Sequence, residues 1–190
     1  MRDVSLWKTL RAVALAIALA WVVALALQNR LLRAELMRVR LHAHTPPVGL
    51  TVPAFGAVTL SGDSVMVGRG TAGQVLFFFS SACDFCRQNL PAWERITVRA
   101  LQATPGITVF GLTQDPETAV RAYMAQYRVA FDVARLRDST LALLYRADAV
   151  PLTVVLNPTG RVLVSRAGIL TAAAVDSIVQ SAIGTETRSE

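Results

Sequence analysis

The sequence predicts an α/β fold, a central mixed sheet with helices on both faces, and two kinds of pattern carry that expectation. Short apolar runs rich in β-branched and aromatic residues recur at 75–80, 107–112 and 152–156. Stretches with helical spacing of apolar positions stand between and after them, at 83–103, 116–128 and 171–183. At 190 residues the chain is long enough for one such domain plus an attachment, not for two full domains.

Charge is distributed unevenly. Residues 1–45 hold Arg2, Lys8, Arg11, Arg30, Arg33, Arg38 and Arg40 against Asp3 and Glu35, whereas the remainder is close to balanced. The formal net charge of +6 therefore belongs mainly to the N-terminal flank, and no nucleic-acid partner is expected.

That flank is the attachment. Residues 12–27 are apolar and uncharged with no polar face, bounded by Arg11 and by Gln28-Asn29-Arg30. The run is a little short for a spanning helix, but Thr9, Leu10 and Gln28 extend it towards the interface, where Lys8 and Arg11 can snorkel. Ala24-Leu25-Ala26 also satisfies the small-x-small pattern of a cleaved signal peptide, so two readings stand. The uncleaved anchor is preferred, because the apolar run passes straight into a basic, helical segment. Arg2, Lys8 and Arg11 before it and Arg30, Arg33, Arg38 and Arg40 after it leave the orientation open. Residues 31–41 read as a solvated continuation of the anchor helix, or as an amphipathic segment on acidic lipid. Residues 42–47 begin a linker, in which His42 and His44 read as linker residues.

The domain opens with a hairpin, 58–60 and 65–67 around Ser61-Gly62-Asp63. Residues 75–80 suit a strand buried on both faces, with Ser80, Ser81 and Ala82 as a turn. Cys83 opens a helix to about Ala103, expected to kink at Pro91. Pro105-Gly106 turns the chain into a buried strand, 107–112. Asp115 is the expected N-cap of the next helix, with Pro116 at its first position and its end near Arg128. Val120, Tyr123, Met124 and Tyr127 are its core positions. A short helix from Asp138-Ser139-Thr140 to Tyr145 precedes a hairpin, 152–156 and 161–165, around Asn157-Pro158-Thr159-Gly160. An amphipathic helix at 171–183 closes the domain. The divisions are thus 1–28 (anchor or signal peptide), 29–47 (basic juxtamembrane segment and linker), 48–184 (domain) and 185–190 (frayed tail).

Chemistry concentrates in Cys83-Asp84-Phe85-Cys86, which holds both cysteines of the chain. Two cysteines in one CxxC make a working dithiol, not a stapling framework. At a helix start Cys83 meets unpaired N–H groups and the positive dipole end, which favour its thiolate, while Cys86 lies one turn on along the same face. Cys83 is placed to attack a disulfide and Cys86 to resolve the mixed disulfide. A zinc or copper-carrier site and a pair of plain core thiols are the alternatives; zinc wants four ligands, and no second cysteine pair exists.

The strand, CxxC and helix, with Pro91 after them, resemble the active site of the thioredoxin superfamily. Val150-Pro151 ahead of the 152–156 run resembles that fold's cis-proline loop. With the apolar N-terminus and the extra hairpin, the resemblance narrows to membrane-anchored TlpA/ResA-like thiol–disulfide oxidoreductases, over about residues 46–184. It implies a thioredoxin-like fold with an N-terminal transmembrane helix, Cys83 and Cys86 as catalytic thiols, and Val150 and Pro151 as a substrate-binding edge. It implies no organic cofactor and no metal. The partners would be protein disulfides, a membrane or periplasmic redox partner supplying electrons, and the bilayer itself. The catalytic domain would stand outside the cytoplasmic membrane, where structural disulfides form.

Three positions depart from that pattern. Ala82 stands where an aromatic often precedes the first cysteine. Phe77 and Asn89 stand where relatives carry acids linked to proton transfer at the second cysteine. Glu94 is the remaining candidate for that transfer and is expected to face solvent. Asp84, beside Cys83, disfavours its thiolate and so leans the dithiol towards reduction. An oxidase or isomerase on the same fold is the alternative within the class, and a non-catalytic metal carrier the alternative outside it. A peroxidase is disfavoured, because Ser80 stands where a peroxidatic cysteine has its threonine.

Overall fold

The computed structural model describes residues 15, 17, 19–33, 45–136, 139–146 and 149–184. It divides into two units, 1–43 and 44–190. In the first unit, residues 19–33 are helical, and Leu19, Trp21, Val22, Val23, Leu25 and Leu27 are all exposed. Among the described residues no helix is long and apolar enough to cross a membrane; positions 12–14, 16 and 18 of the expected anchor lie outside them. His42, His44, Asp138 and the tail 185–190 lie outside the described residues as well.

The second unit is a thioredoxin-like α/β domain. Its order is β1 (Phe55–Val58), β2 (Ser64–Val67), β3 (Gln74–Phe78), α1 (Asp84–Ala103), β4 (Thr108–Thr113), α2 (Glu117–Tyr127), β5 (Asp132–Arg135), α3 (Ser139–Leu144), β6 (Leu152–Leu156), β7 (Val162–Ala167) and α4 (Ala172–Ile183). The main sheet runs β5-β4-β3-β6-β7, and β1-β2 form a separate antiparallel hairpin. Strands β3, β4 and β5 are parallel neighbours, whereas β6 is antiparallel to both β3 and β7.

Strand β3 lies at the centre because it is apolar on both faces. Val75, Phe77 and Phe79 point into one core with Trp93, Ile96, Val120, Ile178 and Val179 of the helices. Leu76 and Phe78 point into the other, with Val52, Val67, Leu136, Ala142 and Tyr145. Alternate residues of one strand thus seed both cores.

Several boundaries differ from expectation for identifiable reasons. Strand β3 stops at Phe78, because the next residues turn towards Asp115. Gln74 joins it, buried, accepting from the Gly68 N–H at 2.8 Å and donating to the Met66 carbonyl at 2.7 Å. The first hairpin strand ends at Val58 instead of Leu60. Thr59 bridges to Ala134, and the Leu60 N–H donates to the Val133 carbonyl at 2.8 Å, tying the hairpin to the sheet edge. Strand β5 has no counterpart in the sequence reading; it is an edge strand of 4 residues that begins with Asp132 and ends with Arg135, too short to show a period. Helix α2 begins after Pro116, which is the N-cap and makes no side-chain cap hydrogen bond, so Asp115 is not the cap. The helix ends at Tyr127, with Arg128 in the left-handed region at φ 50°. Thr171 is the N-cap of α4 rather than its first residue, its hydroxyl accepting from the Ala174 N–H at 3.2 Å.

The β6–β7 turn closes on its own side chain. Asn157 Oδ1 accepts from the N–H groups of Thr159 and Arg161, at 3.1 and 2.8 Å. Gly160 follows at φ +82°, where a Cβ would fall 2.2 Å from the Gly68 carbonyl oxygen, so a side chain there meets both strain and backbone.

Candidate active site

Cys83 is the N-cap of α1, with extended backbone at φ −92° and ψ 110°. Its sulfur accepts the backbone N–H of Cys86 at 3.1 Å, the bond that a Ser or Asp oxygen makes at an ordinary cap. The thiol is therefore both the helix cap and the group facing outward, half-buried where Cys86 is fully buried. The helix dipole and that N–H both stabilise negative charge on the Cys83 sulfur. The two cysteines are free thiols in this structure.

Cys86 is held differently. Burial pushes its thiol well above the ordinary range, and the hydrogen bond with Cys83 pushes the same way. A hydrogen bond from the Ser80 backbone opposes this, while the charges of Cys83 and Asp115 reinforce it. The outer sulfur is the accessible one, and burial disfavours the thiolate of the inner one.

The Val150–Pro151 peptide bond is cis. The Val150 carbonyl lies 3.9 Å from the Cys83 sulfur, so the structure brings the sequence-predicted edge to the dithiol. Pro151 itself is buried, and its carbonyl accepts the Gly168 N–H at 2.8 Å. Phe85 is 59% exposed beside the thiols, where an incoming chain would meet it.

Asp84 is also exposed, and its carboxylate pairs with Arg87 at 2.8 Å. A surface ion pair one helical turn long, open to water, leaves little of that charge to act on Cys83. The expectation that Asp84 sets the direction of electron flow is weakened accordingly. Glu94 faces solvent, as its position on the helix implied, and cannot serve the buried thiol.

The other two departures have structural roles. Phe77 stacks on Trp93, centroids 5.1 Å apart and planes at 19°, so an apolar ring fills the space of an acid. Asn89 is fully buried; its amide donates to the Gly168 carbonyl at 2.9 Å and its oxygen accepts from the Leu170 N–H at 2.8 Å. It pins the loop after β7 to the active-site helix. Pro91 sits inside α1 without ending it, and its missing N–H leaves one turn of the ladder open at that point.

Three residues near the dithiol were not read from the sequence as part of the site: Trp93 was not singled out, Tyr123 was read as core and Asp115 as a helix cap. Trp93 bonds through its indole N–H to the Thr153 hydroxyl at 2.9 Å, tying α1 to β6 two residues past Pro151. Tyr123 is buried against Phe79, and its hydroxyl has no hydrogen-bond partner among the described residues. Burial raises its phenol above the ordinary range, and the charges of Cys86, Tyr127 and Cys83 act in the same direction; it belongs to the same core as Cys86. Asp115 reaches from the end of β4 to the turn before Cys83, accepting from the Ser80 hydroxyl at 3.0 Å and the Ser81 hydroxyl at 2.7 Å, and from the Ser81 N–H. Its position after a strand and before a proline looks like a helix cap, which hid this role. Among the described residues no three His, Cys, Asp or Glu side chains are grouped to hold a metal ion.

Comparison with known proteins agrees with this architecture. A curated relative, the methylamine utilization protein MauD of Methylophilus methylotrophus, is 25% identical over 123 residues, 63% of this chain. The match spans 56% of that relative's own length. A thiol:disulfide interchange protein from a Bacteroides species superposes with a TM-score of 0.61 at 16% identity, covering 72% of this chain and 90% of its own. StoA from Bacillus subtilis does so with a TM-score of 0.59 at 14% identity, covering 70% of this chain and 98% of its own. At these identities the two structures establish the thioredoxin-like fold. The AhpC/TSA family model matches residues 48–165, which takes in the hairpin, the dithiol helix, the Val150–Pro151 loop and most of β7, and the chain belongs to the AhpC/TSA family.

Proposed function

We propose that the protein is a thiol–disulfide oxidoreductase that reduces protein disulfides through Cys83 and Cys86. The observation that carries this reading is the division between the sulfurs: an outward thiol capping a helix beside the Val150 carbonyl, and a buried thiol behind it. The Cys83 thiolate attacks one sulfur of a substrate disulfide, forming a mixed disulfide and releasing the first substrate thiolate. Cys86 then loses its proton and attacks the Cys83 sulfur. The second substrate thiol leaves, and the protein holds a Cys83–Cys86 disulfide, oxidised by two electrons that the substrate has gained. A dithiol partner returns the protein to the reduced state by the same exchange in reverse. No organic cofactor enters these steps.

Reduction is the favoured direction because burial disfavours the Cys86 thiolate, so the reduced form gains little from that sulfur, and a dithiol whose reduced form is little stabilised is a weak oxidant. Equilibration with glutathione buffers is expected to give a potential below about −200 mV, on the thioredoxin side of the two-electron scale. A value near that of a strong oxidase, about −120 mV, would overturn the reductant reading. Because Asp84 is paired with Arg87, Asp84→Asn is expected to move the potential only slightly towards oxidising values.

The N-terminal apolar run supports a tether to the cytoplasmic membrane with the catalytic domain on the outer side. The full chain is expected to stay with membranes through high-salt and carbonate washes, and a chain starting near Thr45 to be soluble. A mature N-terminus at Leu27 would instead establish the signal-peptide reading.

A further inference from the structure

The positions at which related dithiols carry an acid hold Phe77 and Asn89 here, both engaged in packing or in pinning a loop. A carboxylate nonetheless reaches the turn before the dithiol from another element. Asp115 leaves the end of β4, its own N–H donating to the Thr113 hydroxyl at 3.2 Å. Its Oδ2 gathers the Ser80 hydroxyl and both the N–H and hydroxyl of Ser81. The Arg135 side chain donates to the Asp115 backbone carbonyl at 2.8 Å, fixing the residue from β5. The Cys83 N–H donates to the Ser80 carbonyl at 3.1 Å, so the anchored turn is the one from which the CxxC helix starts.

We propose that Asp115 is a positioning residue of the dithiol, tying down the Ser80–Ser81 turn from which the CxxC helix starts and placing a negative charge at that turn, near the inner thiol. The proposal rests on the oxidoreductase reading and names how its inner sulfur is controlled. Two effects of opposite sign meet in one side chain. The Ser80 backbone hydrogen bond favours the Cys86 thiolate, and the Asp115 charge disfavours it. Hydrogen bonds from Ser81 and Ser80 hold the Asp115 carboxyl below its usual range although burial pushes it up. Its Oδ2 is taken up by three donors of that turn. Asp115 therefore acts through geometry and charge, and not as the base that accepts the Cys86 proton. The other groups facing Cys86 are Cys83 of the same helix and Tyr123 of α2, whose neighbours Tyr127 and Arg87 complete the set. Tyr123 and Arg87 are the same in every variant below, so a change between variants reports on Asp115.

The test is the pH profile of Cys86 alkylation by iodoacetamide in a Cys83→Ser background, read by mass spectrometry. Asp115→Asn keeps an acceptor for the turn and removes the charge. It is expected to raise the Cys86 thiolate fraction about three- to tenfold at any pH below the midpoint, half to one pKa unit. Asp115→Ala removes charge and tether together, and its midpoint is expected to lie above that of Asp115→Asn. The double variant Ser80→Ala, Ser81→Ala retains the carboxylate and loosens the turn, and is expected to move the midpoint above that of the parent; it stands in for Asp115→Ala if that chain does not fold. An unchanged midpoint in Asp115→Asn overturns the charge, and a midpoint at or below that of Asp115→Asn in the alanine variant overturns the tether. Either result sinks the proposal. Failure of the oxidoreductase reading would show separately, as a protein with Cys83, Cys86 and Asp115 intact that exchanges no disulfide with glutathione.

Discussion

Replacing Cys83 by serine is expected to abolish disulfide reduction, lowering the rate by at least about a thousandfold, because the attacking group itself is removed. Reduction of a protein disulfide by stoichiometric dithiol protein measures it. Cys86→Ser is expected to behave differently. The first attack survives, since the Cys83 sulfur keeps its exposed position and its contact with the helix N–H groups, but the mixed disulfide has no internal thiol to resolve it. Such a chain should accumulate one covalently bound partner per molecule, releasable by external thiol. That also makes it the means of capturing the physiological substrate. Faster alkylation of Cys86 than of Cys83 in the reduced protein would reverse the two roles. Burial argues against that, as Cys86 has no exposed surface and Cys83 is open to solvent in part.

Trp93→Ala is the expected largest loss of stability. The indole is fully buried, stacked on Phe77 and edge-on to Phe79 and Phe131, with centroids 6.4 and 6.1 Å away. Its removal opens a cavity between α1 and the sheet and leaves the buried Thr153 hydroxyl without its donor. A loss of about 3–5 kcal/mol is expected for truncating a buried tryptophan, on the scale of such substitutions. Urea unfolding followed by far-UV circular dichroism measures it. A loss under about 1 kcal/mol, the size of an ordinary surface substitution or less, would show that the ring cluster is not what joins helix to sheet. Trp93→Phe keeps much of the ring packing and loses the hydrogen bond, so it should cost about 1–3 kcal/mol, the penalty of an unsatisfied buried group with some cavity added.

The two units differ in how far sequence carries. The apolar run at 12–27 is legible as a candidate anchor from composition alone, and its residues at 19–27 are helical and exposed. Within the domain, long periodic segments were legible because burial dictates their pattern. The sequence alone placed α1 to its last residue, and β4, β6, β7 and α4 to within two residues of their bounds. Edge strand β5 was not legible, since one partner strand and 4 residues impose almost no pattern.

For the candidate site, local sequence determined what local physics controls. A CxxC at a strand-to-helix junction specifies a sulfur at a helix N-terminus, and Cys83 and Cys86 were named on that ground. Val150 and Pro151 were named through the resemblance to the thioredoxin superfamily's cis-proline loop, and the fold brings the two motifs together across β3 and β6, which are antiparallel neighbours. Asp84 was legible as a charge next to a thiol, and Arg87 lies within its reach one helical turn on; the structure shows that local pair formed and open to water. Asp115 was misread. Before a proline and a helical run it has the local signature of a cap, yet its carboxylate bonds to residues 34 and 35 positions earlier. That partnership follows from β3 and β4 being adjacent and parallel, so that their C-terminal ends lie side by side. Spacing along a chain determines which groups share a helix turn or a strand face; which carboxylate stands beside a buried thiol is decided by strand order, because contacts of that length are made only when the sheet assembles.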